Sequence, residues 1–191
     1  MTDRAPQPRD TSPSPIAPAL ISVGHGTLRR GELTRLLCSA DIEALVDIRR
    51  FPHSRHNPDV EGEALSDWLP EAGIDYRKEP RLGGRRRTPA DAVSEDTWWR
   101  VEQFAAYAAY TRTAPFCDAL TELLDQASRQ RTAIMCSESV WWRCHRRLVA
   151  DVATLSFGAS VYHLMHDRRL LRHTVAEGAR RRSDGHVVWD V

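Results

Sequence analysis

From residue 19 the chain alternates short apolar runs with longer stretches whose apolar residues recur every three or four positions. "ALISVG" (19–24), "EALVDI" (43–48), "IDYR" (74–77), "TAIMC" (132–136) and "SVYHLM" (160–165) have the length of strands, and most are apolar enough to be buried on both faces. Helical spacing fills the intervals. "GELTRLLCSADI" sets Leu33, Leu36 and Leu37 on one side, and "EGEALSDWLPEAG" is amphipathic, interrupted at Pro70 and closed by Gly73. Further helices are expected over 98–111, 115–130 and 140–156. In the last, Cys144, Leu148, Val152 and Leu155 fall four, four and three residues apart, which predicts one buried stripe. Residues 78–97 read as a long polar loop, and "HVVWDV" at the end as an edge strand. Strands alternating with helices predict one α/β domain over 19–191, with three layers and a mainly parallel sheet carrying helices on both faces.

Composition narrows the classes. A chain of 191 residues with 41% hydrophobic content can bury a core as one domain. No apolar run approaches the roughly 18 residues of a membrane helix, so no membrane partner is expected. Residues 1–18, "MTDRAPQPRDTSPSPIAP", hold five of the eleven prolines and read as a flexible arm without the apolar stretch of a secretory signal. These features place the protein in the cytoplasm, where its four cysteines are expected as free thiols. Cys38 and Cys117 lie in helix-like apolar patterns and are expected as small core residues. The net charge of +1 gives no global sign of nucleic acid, but "RLGGRRR" (81–87) and "ARRRSDG" (179–185) are locally basic. Of the 27 basic residues only Lys78 is lysine, so arginine richness is a property of the whole chain rather than of these runs alone.

In such sheets ligands bind beyond the carboxyl ends of the strands, and there the unusual residues gather. "VGHGT" follows the first strand. Gly24 and the backbone up to Thr27 could approach an anion, with His25 beside it, or Thr27 could cap the next helix. "VDIRRFPHSRHNP" begins at the second strand's end. Asp47 there needs a partner, Arg49 is two residues on, and Ser54, His53 and His56 lie on a loop able to close over a ligand. In "RLGGRRR" the pair Gly83 and Gly84 could wrap an anionic group. "AIMCSESVWWRCHRRLV" ends the fourth strand with Cys136, where the dipole of a following helix would favour the thiolate. Glu138 follows as an acid or base, and His145 and Arg146 can reach back to the cleft, with Trp141 and Trp142 as packing or a pocket wall. Cys136 and Arg143 enclose six residues where a protein-phosphatase loop needs five. The Cys-x7-Cys-His spacing also departs from zinc frameworks, so no metal ligands are assigned.

Together "VGHGT", "VDIRRFPHSRHNP", a tyrosine separated by five residues from "LGGRRR", "FAAYAAYT" and "IMCSESVWWRCHRRLVAD" resemble the bacterial family of domain of unknown function 488, in order from about residue 20 to 166. The resemblance implies a compact three-layer α/β domain in which these polar residues belong together. It supplies no activity, and the cofactor stays unknown. The residues themselves lead to an enzyme acting on an anionic, possibly nucleotide-like small molecule. Cys136, Glu138, His25 and His145 are its expected catalytic groups, and Gly24, Thr27, Asp47, Arg49, Ser54, Gly83, Gly84 and Arg146 its binding groups. Two alternatives stand beside it: a nucleic-acid-associated binding protein without catalysis, and a thiol redox or metal sensor built on Cys136 and Cys144.

Overall fold

The computed structural model describes residues 19–54, 56–87 and 94–190. The proline-rich arm over 1–18 lies outside the described residues, as does part of the polar loop. Five strands run parallel: β1 (Ala19–Gly24), β2 (Ala44–Asp47), β3 (Asp75–Lys78), β4 (Thr132–Cys136) and β5 (Ser160–Leu164). A sixth, β6 (Leu170–Arg172), pairs antiparallel with β5, giving the order β3-β2-β4-β1-β5-β6. The helices are α1 (Arg30–Cys38), α2 (Gly62–Trp68), α3 (Glu102–Tyr110), α4 (Ala114–Ala127) and α5 (Arg146–Phe157). This is the three-layer α/β fold expected.

The apolar strands are continuous because both faces are covered. Leu20, Val46 and Ile134 pack with α3, α4 and α5, while Ile21, Leu45, Ala133 and Met135 pack with α1 and α2. Each alternate residue thus joins one of two cores separated by the sheet. The connections leaving β1 and β2 run to one face and the connection leaving β4, which lies between them, to the other. A crevice therefore opens at the carboxyl end of β4.

Three elements differ from expectation. The helix expected from residue 140 starts at Arg146, with a single 3-10 turn over Trp141–Arg143 and an extended Cys144 between them. "HVVWDV" does not extend the main sheet. Its residues form β8 (Val187–Trp189), paired with β7 (Ala179–Arg181) in a separate hairpin whose Trp189 is fully buried. The helix expected over 98–111 begins at Glu102, because Trp98 hands its backbone N–H to Trp189 O (2.9 Å) and packs on Gly178 instead. Cys38, expected in the core, is exposed at the end of α1, while Cys117 is half-buried against the core. The leucines of α1 already fill its inner face.

Candidate functional site

Cys136 ends β4 with its side chain on the α3–α4–α5 face, two residues beyond Ile134. The chain then leaves as the loop 137–140 and crosses above β1. Gly24 makes this crossing possible, since a Cβ there would stand 1.8 Å from Glu138 O and 2.6 Å from an Arg146 nitrogen. His25 N–H and Gly26 N–H donate to Cys136 O (3.0 Å) and Ser137 O (2.9 Å), so the "GHGT" turn is sewn to the end of β4. Arg146, 1% exposed, donates from Nη2 to Glu138 O and from Nη1 to Ser22 Oγ (3.3 Å). The clamped loop turns back through the 3-10 turn, and Cys144 and His145 arrive beside Cys136. His145 Nδ1 lies 3.5 Å from Cys144 Sγ and 3.8 Å from Cys136 Sγ.

The two thiols and the imidazole border a cavity of about 370 Å³. Its size falls at the lower end of the range for small-molecule sites. Phe104 and Tyr107 of α3 form one wall, with Phe51 and Val101 exposed beside it. Arg50, Arg85 and Arg143 also line it, and among the described residues none of the three pairs with a carboxylate. Among the described residues Glu138 is the one carboxylate lining the cavity, and its side chain is exposed there. Gly84 lies against the His145 ring, where a Cβ would come 3.0 Å from Nδ1. Gly83 lies against Arg50, whose backbone nitrogen a Cβ would meet at 2.8 Å. The glycine pair thus packs two backbone segments and an imidazole together. Gly84 also lines the cavity, whereas Gly83 does not.

Electrostatics divide the two thiols. Donation to the Cys144 sulfur and burial push the Cys136 thiol well above its ordinary value. Burial also opposes ionisation of Cys144, but the hydrogen bond from Cys136, the His145 imidazole and the Arg146 charge outweigh it and hold Cys144 well below. The two sulfurs thus share a proton, and the negative charge is favoured on the pair by His145 and Arg146 rather than on Cys136 alone. α5 starts ten residues past Cys136 in the sequence, but the fold brings His145, the residue before its first turn, against both sulfurs.

Asp47 and Arg49 form a buried ion pair (2.6 Å). Asp47 accepts from the Arg49 backbone N–H, Nε and Nη2, and from Tyr76 Oη (2.9 Å), so it positions Arg49 and does not meet the cavity. Burial works against the Arg49 charge, but the bonds to Asp47 more than offset it and its pKa is raised. Arg49 also donates to Val60 O (2.7 Å) and approaches His25 Nε2 at 3.2 Å. It lines the cavity with one Nη1 hydrogen left without a partner among the described residues.

His25 is 4% exposed and does not line the cavity. Burial, then the Arg49 charge, lower its pKa to about 4, and its Nδ1 lies 2.9 Å from Gly26 O. Neutral and bonded at both nitrogens, it orients Arg49 and has no free nitrogen to carry a proton. The N–H groups of His25 and Gly26, expected in an anion cradle at Gly24–Thr27, serve the β4 loop instead. Thr27 is exposed, and the position before α1 is held by Arg29, whose N–H donates to Glu32 Oε2 (2.9 Å). Ser54 Oγ accepts from Asn57 N–H (3.1 Å) on a turn away from the cavity, and His56 is exposed. His53 lines a second hollow of about 230 Å³ with Lys78 and Glu61. Arg146 turns both Nη atoms to its clamp, is left with a buried Nε that has no partner among the described residues, and does not line the cavity. Of the twelve residues singled out above, those lining the cavity are Cys136, Glu138, His145, Arg49 and Gly84.

Behind the clamp lies a buried network that the strand patterns do not reveal. Ser22 Oγ meets His163 Nδ1 (3.0 Å), His163 Nε2 meets His173 Nδ1 (3.0 Å), and His173 Nε2 meets Asp151 Oδ1 (2.8 Å). Trp189 Nε1 donates to the other Asp151 oxygen (2.9 Å). Arg146 donates at one end of this row and Asp151 accepts at the other, and when both imidazoles are neutral the protons between them point from Arg146 to Asp151. Trp141 stacks on His163, with centroids 4.1 Å apart and an interplanar angle of 4°. Burial, and then the neighbouring His173, lower the His163 pKa to about 3.

The basic runs are largely absorbed. Arg81 pairs with Glu79 and Glu122, Arg86 lies 3.6 Å over the Tyr110 ring, Arg180 pairs with Asp190, and Arg182 with Glu95 and Asp184. Among the described residues no helix is long and apolar enough to cross a membrane.

The family described as "Domain of unknown function DUF488" matches the chain over residues 30–153. The chain belongs to DUF488. The span covers β2 to β4 and the Cys136–Arg146 segment, and it begins after the His25 turn and ends within α5. No curated protein and no solved structure matches. DUF488 membership thus carries no activity with it, and function has to be argued from the cavity.

Proposed function

We propose that this DUF488 protein is an enzyme acting on an anionic small molecule bound in the cavity at the carboxyl end of β4. The observation that carries this reading is chemical density. Two thiols and an imidazole within 4.8 Å of one another border a small cavity that also holds Arg50, Arg85 and Arg143. Cations without local carboxylate partners favour an anionic guest. The exposed Phe51 ring and the Val101 side chain beside Phe104 suit an apolar or aromatic portion of that guest, which keeps a nucleotide-like molecule within the class. Arg49, aimed by Asp47 and His25, supplies a further N–H. The reacting centre would then meet Cys136, Cys144 and His145, with Glu138 as the acid or base.

The nucleic-acid reading is the weaker, because the runs that suggested it spend most of their charge on neighbouring carboxylates and carbonyls. Screening a panel of anions (inorganic phosphate, nucleoside monophosphates, di- and tricarboxylates) by calorimetry on the wild type and on Arg85→Ala/Arg143→Ala tests the proposal. At least one should bind the wild type and lose about tenfold or more in affinity in the double variant. A panel in which nothing binds, or binding indifferent to both arginines, rejects it.

A further inference from the structure

We propose that Cys136, Cys144 and His145 are three ligands of a tetrahedral divalent metal ion of the zinc class, with its fourth position open to the cavity. The proposal deepens the reading above and rests on it only for what the open position serves. Sequence spacing argues against a metal set, since Cys-x7-Cys-His fits no local framework. The fold overrides that argument, because the Arg146 clamp bends residues 137–143 back so that Cys136 Sγ, Cys144 Sγ and His145 Nδ1 all lie within 4.8 Å of one another.

Distances support a shared ion. Zinc–sulfur and zinc–nitrogen bonds of about 2.3 and 2.05 Å at the tetrahedral angle put nitrogen about 3.6 Å from each sulfur. Here His145 Nδ1 is 3.5 Å from one sulfur and 3.8 Å from the other. One imidazole nitrogen facing two sulfurs at once is a poor hydrogen-bonding arrangement and a good chelating one. The other nitrogen, Nε2, is buried with no hydrogen-bond partner among the described residues, and the ring is held by its edge contact with Tyr107 (centroids 5.1 Å apart) and by Gly84. Gly84 matters for the same reason, because a Cβ there would crowd Nδ1 at 3.0 Å.

Charge is consistent as well. Two thiolates and a neutral imidazole offset a dication, so the buried site becomes neutral, and binding releases the thiol protons to solvent. Three protein ligands bordering a cavity leave one position for water or substrate, which is the pattern of catalytic rather than structural zinc. Glu138 is on the cavity wall outside the ligand set, where it could take a proton from a metal-held water.

Cobalt titration of the reduced, chelator-treated full chain under nitrogen tests the inference. The expected result is one equivalent bound, with the visible d–d absorption of tetrahedral cobalt and thiolate-to-cobalt charge transfer, both abolished by zinc. Cys144→Ser and His145→Ala should each weaken binding at least about tenfold. Cys38→Ser, Cys117→Ser and Glu138→Gln should bind as the wild type does. Melting curves of each apo variant separate lost ligands from lost folding. Adding azide should shift the cobalt bands, and an unchanged spectrum overturns the open position. Absence of the bands in the wild type, or bands that survive Cys144→Ser and His145→Ala, overturns the site. Anion binding by the metal-free protein is scored separately. If it persists without metal binding, only this inference fails, and if metal binds while no anion does, only the proposed function fails.

Discussion

Gly24 and Gly73 are both glycines at turns, yet they answer to different physics. Gly73 adopts φ +74° with nothing within 4 Å of where a Cβ would stand, so Gly73→Ala should cost only the left-handed backbone penalty, about 1 kcal/mol. Gly24 is confronted by a carbonyl oxygen at 1.8 Å, and both the oxygen and the guanidinium that holds it are fixed. Gly24→Ala should therefore displace the Glu138 loop and cost roughly 3 kcal/mol. Urea midpoints of the two variants check this, and equal losses would contradict the close crossing. Arg146 belongs to the same argument. Its two Nη donors reach acceptors on different elements, which the single ammonium of Arg146→Lys cannot reproduce. That variant should lose roughly 2–4 kcal/mol, and limited proteolysis should now cut between residues 137 and 143, where the wild type resists.

At the level of elements, what the sequence made legible follows burial. β1, β2, β4 and β5 could be read because helices cover both of their faces, which keeps their residues apolar without a break. The convergence of "DIRR" and "CSE" at one sheet edge was legible for the same reason, since strand direction follows from the alternation with helices. The start of α5 was not. Cys144 is four residues before Leu148 and buried like it, so the stripe runs on in the sequence although the helix does not. Cys144 is extended because it returns to Cys136, a contact over eight residues that no helical period encodes. The row Ser22, His163, His173 and Asp151 was hidden in the same way. Each member occupies an unremarkable place on its own element, and only the parallel pairing of β1 with β5 and the turn after β6 bring them into line. β6 itself escaped notice because Leu170–Arg172 is exposed throughout and carries no burial pattern.

For the whole molecule, two buried neutral imidazoles predict sensitivity to acid. His25 and His163 titrate near 4 and 3 in the folded state, below the ordinary value near 6.5 to which unfolding returns them. Between those limits the unfolded chain binds more protons, so stability is complete above about pH 6.5 and falls as the pH drops. Each group can remove up to about 1.4 kcal/mol per pH unit in that window. Denaturation at pH 7.5, 6 and 5 should show progressively lower midpoints, and a flat profile would mean that the imidazoles are not buried neutral. The terminal hairpin enters the same balance. Trp189→Ala should cost about 3–5 kcal/mol by emptying a fully buried site.

The hydrogen-bonded row between Arg146 and Asp151 has a longer reach than its stability. Trp189 grips one oxygen of Asp151, the row continues through two rings and a hydroxyl, and its far end is the guanidinium that holds Glu138 against the rim of the cavity. A substitution at Trp189 can therefore disturb ligand binding at the cavity without any residue that lines it having changed.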